Sequence, residues 1–391
     1  MLRFQTAGES HGQALVATLA GLPAGLAVDF AYVNRDLQRR QGGYGRGGRM
    51  KIESDSAQFI SGVRHGRTIG SPIAILIENR DWANWKESLA VEDHPETSAQ
   101  HKSLSRPRPG HADLAGCLKY NFPEARYVLE RASARETAAR VAVGALAKLF
   151  LKEFGIEVAS HVVAVGAVAL TTDCVPFEKV LALRERADIG MACVDPDIEA
   201  RMKQEVDRAL ENRDTVGGTF EVMAHGVPPG LGSCAQWDER LDGQLAQSLM
   251  SIPAVKAVEI GCGMGNASLP GSQVHDEIGY DREQSRFTRA SNRAGGLEGG
   301  ITNGEDIVVR GYLKPISTLR RPLKSVDLQT KETVQAAYER SDVCVVPAAG
   351  VIGESMLALT LARAFLEKFG GDSMGECRRN FLGYQDQVRQ F

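Results

Sequence analysis

Two histidines stand in turns that restrain them. His11 lies between glycine-flanked neighbours in Gly-Glu-Ser-His-Gly at 8–12, and His111 follows Arg-Pro-Arg-Pro-Gly at 106–110. An imidazole changes charge near neutral pH, so each can pass a proton to an anionic leaving group or a bound ring. Pro107 and Pro109 fix φ and Gly110 lets the chain turn, which gives His111 a stiff approach. No second histidine or cysteine stands at ligand spacing, so a metal is disfavoured. Taken singly, each is equally a turn histidine bonded to backbone. The 8–12 segment also has the Gly-x-Ser-x-Gly form of a nucleophile elbow, with Ser10 as the nucleophile. That elbow follows a sheet strand and borrows an oxyanion donor from an earlier loop, yet at most one strand precedes residue 8. A serine hydrolase and a non-catalytic anion binder are the competing readings.

The arginines cluster just as locally. In QGGYGRGGRMK, 41–51, Arg46 and Arg49 sit among five glycines, with Arg39 and Arg40 upstream, in a chain whose net charge is -3. Glycines let a ligand approach the backbone, and arginine forks grip phosphate or carboxylate with paired N–H donors. A solvated basic turn would look the same. In ERASARET, 130–137, Arg131, Ser133 and Arg135 stand where a long amphipathic helix begins, a place that favours anions. Ser133 and Glu136 form a capping-box pattern there. A second glycine-rich loop at 292–304 leads to a strand that ends in Lys314 and a Ser317/Thr318 pair. Arg340 and Asp342 precede an apolar helix, and in a closed anionic site that carboxylate is a base candidate.

These residues need a frame. The chain has 391 residues, 43% hydrophobic and 24% charged, the range of globular proteins with ample core. Its balance does not suit a dedicated nucleic-acid binder. Seven scattered cysteines show neither a disulfide framework nor a zinc ladder, and a reducing, cytoplasmic setting is expected. No signal-like start or long uninterrupted apolar run suggests a membrane. Alternating or β-branched runs predict strands near 2–7, 52–60, 72–78, 156–170, 218–227 and 306–314. Helices are predicted at 31–40, after Ser133 to a stop at Gly155, and at 177–187, 196–212, 238–251 and 354–369. Strands and helices mix without regular βαβ alternation, so the fold class is α+β, with no convincing division into domains. The strand, GxGxxG, helix order of a dinucleotide fold is absent.

Taken in order, GESHGQALVATLAGLPAG, QGGYGRGGRM, RPRPGHAD, ERASARETAARVAVGAL, NRAGGLEGGITNGE, KPIST and RSDVCVVPAAGVIGESMLAL resemble chorismate synthases, from residue 3 to about 369. The resemblance implies a single-domain β-α-β sandwich of antiparallel sheets with a helical layer. It implies a lyase that converts 5-enolpyruvylshikimate 3-phosphate to chorismate and phosphate, the last step of the shikimate pathway. That reaction is a 1,4-anti elimination with no net redox change that requires reduced FMN. It implies a homotetramer, in which NADPH serves as a direct or indirect reductant. Without a nicotinamide motif, an external flavin reductase is expected.

By the same resemblance, His11 protonates departing phosphate, His111 protonates the flavin, and Asp342 relays the ring proton. Arg40, Arg46, Arg49 and Arg135 bind substrate anions. The flavin is contacted by Arg131, Ala132, Ser133, Pro253, Ala254, Gly299, Lys314, Pro315, Ile316, Ser317, Thr318 and Arg340. Position 253 is often asparagine in that family, and proline forgoes its amide contact.

Overall fold

The computed structural model describes residues 1–47, 54–92, 101–171, 174–186, 188–339 and 341–391. Two antiparallel sheets enclose a layer of helices, so the α+β sandwich expected from the sequence is the observed architecture. The first sheet runs in the order Arg3–Ala7, Ala14–Ala20, Ile73–Glu78, Gln58–Ser61. Period-two alternation gives it one apolar face: Leu15, Ala17 and Leu19 of one strand and Ile73, Ile75 and Ile77 of its neighbour are buried. That face packs on the Thr137–Lys152 helix.

The second sheet runs Val255–Ile260, Ile307–Leu313, Gly218–His225, Glu157–Val165, Val168–Ala169. It packs on the Val346–Phe369 helix, which in turn lies against Thr137–Lys152. The two helices touch closely because Gly144 has no side chain. A Cβ there would stand 2.2 Å from Ser355 Cβ. By length and composition Val346–Phe369 is apolar enough to cross a membrane, but 83% of its most apolar window is buried inside the protein. The helices Phe30–Gln41 and Leu241–Met250 complete the layer.

Several boundaries differ from the sequence reading, each for a local reason. Residues 156–170 form a hairpin rather than one strand, because Gly166 turns the chain at φ 54°. The last core helix starts at Val346 instead of 354. Its Gly350 and Gly353 lower helix propensity but let the sheet approach: a Cβ on Gly353 would lie 2.6 Å from the Phe220 ring. Ser133 caps only the single 3₁₀ turn Ala134–Glu136, accepting from the Arg135 N–H, and the α-helix begins at Thr137. Arg131 therefore belongs to the last turn of the preceding helix, Arg126–Ala132. The strand Ala14–Ala20 and the helices Asp113–Tyr120 and Met374–Gln390 were not expected. Asp195 caps Pro196–Glu211, accepting from the N–H groups of Asp197 and Ile198.

Candidate active site

A cavity of about 780 Å³ opens where the edge of the helical layer meets both sheets. His11 reaches it from the turn between the first two strands, and His111 from the turn before the Asp113–Tyr120 helix. Arg40 comes from the last turn of Phe30–Gln41, Arg46 from the glycine loop that follows, and Arg135 from the 3₁₀ turn. Asp342 precedes the long core helix, and Lys314 to Thr318 leave the end of the Ile307–Leu313 strand. Ala132, Ser133, Pro253 and Ala254 also line the walls. Lys314 N–H donates to Ala254 O at 3.0 Å, which ties two of these wall segments together.

His11 is held on three sides. Its Nδ1 lies 2.9 Å from Glu130 Oε1 and 3.1 Å from Oε2, and its backbone N–H donates to Oε2 at 2.8 Å. The ring stacks on Trp85, with centroids 4.1 Å apart and planes at 24°. Burial would raise the Glu130 carboxyl, but the hydrogen bonds and charge of His11, with help from Arg126, outweigh it and keep it below its ordinary range.

His111 has a parallel support. Its Nδ1 stands 2.5 Å from Asp113 Oδ1, while Arg108 Nε donates to Asp113 Oδ2 at 2.8 Å and Arg108 Nη1 to Thr318 Oγ1 at 2.8 Å. Burial favours a protonated Asp113, yet bonds from His111 and Arg108 win and hold it well below the usual carboxylate range. Each histidine thus sets Nδ1 against a buried carboxylate, and His111 Nδ1 also lies 3.0 Å from Arg108 Nη2.

Two of the arginines share one counter-ion, Asp55. Arg135 Nη1 donates to Asp55 Oδ1 at 2.6 Å, and Arg40 Nη1 lies 3.5 Å from the other oxygen of the same carboxylate. Burial pushes the Arg40 guanidinium down to about 10; Asp55 opposes this, and the charges of Arg135 and Arg46 add to it. Arg46 Nη1 pairs with Asp342 Oδ2 at 2.9 Å. Among the described residues, six cationic side chains (Arg40, Arg46, Lys102, Arg108, Arg135 and Lys314) line the cavity against the carboxylates of Asp81, Glu339 and Asp342. Asp55 and Asp113 behind the wall offset Arg40, Arg135 and Arg108 in part, and the cationic lining that remains favours an anionic ligand.

Not every sequence candidate lies there. Arg131 turns to the first strand, donating to Thr6 O at 3.0 Å, and does not line the cavity. Gly299, at the tip of the Leu297–Glu298 and Ile301–Thr302 hairpin, does not line it either. Arg49 and Arg340 lie outside the described residues. Ser10 sits in a turn joining two antiparallel strands, not at a strand-to-helix elbow, and its Oγ donates to Ser133 Oγ at 3.0 Å. The hydrolase reading fails on that geometry. Sequence reasoning missed Glu130 and Trp85 as neighbours of His11. Glu130 lies inside the ERASARET motif, whereas Trp85 belongs to no motif.

Comparison with known proteins agrees with the geometry. Residues 2–366 match the family model described as chorismate synthase. The chain is similar to chorismate synthases of Koribacter versatilis (64% identical), Solibacter usitatus (63%) and Geobacter sulfurreducens (55%), each aligned over 100% of both chains. It is also similar to a solved structure titled "Crystal Structure of Chorismate Synthase", at 43% identity and a TM-score of 0.79, covering 100% of this chain and 99% of the other. A family model spanning nearly the whole sequence, full-length relatives above half identity and a shared architecture lead to one conclusion: this chain belongs to the chorismate synthase family.

Proposed function

We propose that the cavity holds 5-enolpyruvylshikimate 3-phosphate against reduced FMN during the reaction of this family of lyases, the 1,4-elimination of phosphate that yields chorismate. One observation carries the reading: His11, His111, Asp342 and three arginines, scattered through the sequence, line one cavity. The residues suit a flavin as well as the substrate. The volume of about 780 Å³ falls within the roughly 300–1,000 Å³ of ligand sites. Its walls join a cationic set to the apolar Leu313, Ile316, Ile252 and Val345, which can face a flat ring. Ala132, Ser133, Pro253, Ala254 and the 314–318 segment would hold the flavin, with Lys314 near its phosphate.

Reduced FMN, when bound, supplies electron density that eases phosphate expulsion and is recovered as the reaction closes. The side chains do the rest. Arg40, Arg46 and Arg135 bind the carboxylates and phosphate of the substrate and exclude water from them, which strengthens every charge contact inside. His11 donates the Nε2 proton to the oxygen of the departing phosphate. His111 holds a proton toward the flavin ring, and Asp342 accepts the proton that leaves the substrate ring.

Family membership further supports a cytoplasmic homotetramer, and the sequence, which carries no separate nicotinamide motif, fits NADPH acting through an external flavin reductase. Anaerobic incubation with substrate and reduced FMN tests the reading, following phosphate and chorismate together. Equal yields of both, only with reduced flavin, are expected. Phosphate without flavin would indicate hydrolysis, and binding without turnover an anion carrier.

A further inference from the structure

We propose that Glu130 is a positioning residue that fixes the tautomer and aim of His11, with Trp85 setting the plane of its ring. The inference rests on the reading of His11 as the acid for phosphate departure. Glu130 has a fully buried side chain, and both of its oxygens meet His11, Oε1 at the ring and Oε2 at ring and backbone N–H alike. A carboxylate can only accept, so Nδ1 must carry hydrogen. The neutral ring is therefore held as the Nδ1–H form, and Nε2 is the nitrogen that gains and gives the proton.

The surroundings keep this carboxylate in place. Arg126 Nη1 lies 3.5 Å from Glu130 Oε1, while Arg126 Nε donates to Lys102 O at 2.7 Å and Nη2 to Glu339 at 3.2 Å. Ser10 N–H donates to the Glu130 carbonyl at 3.0 Å, which fixes the start of the His11 turn on the same helix. On the other side of the site Trp85 stacks on the imidazole, and its indole N–H donates to Asp81 Oδ2 at 3.2 Å. Lys102 Nζ stands 3.8 Å from the Trp85 ring centroid. A half-turn of the imidazole about its own bond would break the ring-to-carboxylate bonds, and any intermediate angle would break the stack as well.

The proton step then balances simply. As the carbon–oxygen bond to phosphate breaks, its electron pair stays on the phosphate oxygen. That oxygen takes the Nε2 proton, and the ring is left neutral with its Nδ1–H still donated to Glu130. A carboxylate in this position also steadies the imidazolium before transfer, by charge and by hydrogen bond. Glutamine would keep the shape but lose the charge, and could present its amide N–H to Nδ1, forcing the opposite tautomer.

Nitrogen-15 NMR of histidine-labelled wild-type protein reads the tautomer directly, without substrate or flavin. The Nδ1–H signature for neutral His11 is expected; an Nε2–H signature or a rapidly exchanging mixture would overturn the proposal. Glu130→Gln should lower kcat by about 10²-fold or more, the scale of general acid catalysis, with KM within about twofold. Glu130→Asp should recover part of that loss. Wild-type kcat in Glu130→Gln would also overturn it. Should Glu130→Gln fail to fold, the wild-type spectrum alone decides. Should His11→Ala retain full activity while the tautomer is as stated, the acid role falls and the positioning geometry stands, so the two failures are separable.

Discussion

Arg46 and Asp342 meet in the lining of the cavity, Nη1 to Oδ2 at 2.9 Å, while the N–H of the next residue, Gly47, donates to Asp342 Oδ1 at 2.5 Å. One carboxylate thereby closes the glycine loop onto the start of the long core helix. The loop can approach this closely because Gly47 has no side chain: a Cβ there would lie 2.8 Å from Ser341 O. The acid proposed to take the substrate's proton is also the anchor of a substrate-binding arginine.

Asp342→Asn separates these roles. The amide keeps the shape and can still accept from Gly47, but it is a poor base and a weak partner for a guanidinium. Turnover should fall by about 10²-fold or more, with the circular dichroism spectrum unchanged. Wild-type turnover in this variant would remove Asp342 from the proton path.

Behind the site, Glu354 ties three elements of the core. Arg39 donates to its two oxygens at 2.8 and 2.6 Å, Lys148 Nζ at 2.9 Å and Ser160 Oγ at 2.7 Å. Glu354→Ala would leave two buried cations with only Asp36 between them, and urea unfolding should show a loss of about 3–5 kcal/mol. Burial would raise the Glu354 carboxyl, but Arg39 and Lys148 outweigh it and hold it far below the ordinary value of 4.5. A depressed folded-state value means the contribution is present above about pH 4.5 and is lost as the pH falls through that lower value. The stability gap between wild type and Glu354→Gln, measured by urea unfolding from pH 7 down to 3, should therefore narrow on the acid side. A constant gap would contradict the linkage.

Gly144→Ala tests the contact between the two central helices. In a free helix that change stabilises by about 1 kcal/mol. Here the new Cβ would stand 2.2 Å from Ser355 Cβ and 2.6 Å from its Cα, so the helices must part. A net loss of about 1–3 kcal/mol is expected in thermal or urea unfolding, and a stabilised variant would show that the interface yields freely.

Much of the site was legible in the sequence because its residue types are informative where they stand. Taken singly, histidines beside glycines and prolines and arginines near a glycine loop or a helix start also suit plain turns, but those at 11, 40, 46, 111 and 135 share a cavity. What escaped notice depends on contacts between distant segments. Glu130 is an ordinary helical acid until folding sets it against His11, 119 positions away. Trp85 belongs to no motif, yet its ring packs on that same histidine. The strand Ala14–Ala20 was hidden because ALVATLA mixes good helix formers with β-branched residues, and pairing with two neighbours decides the matter. The start of Val346–Phe369 was misplaced because its glycines serve packing against Phe220 rather than helix propensity.

The central claim is that His11 and His111, carried by separate segments, serve one reaction in one cavity. Single-turnover phosphate release under anaerobic conditions, with reduced FMN and saturating substrate, tests it in His11→Ala and His111→Ala. A loss of about 10²-fold or more in each, with folding intact, is the expected result. Full activity in either variant would contradict it.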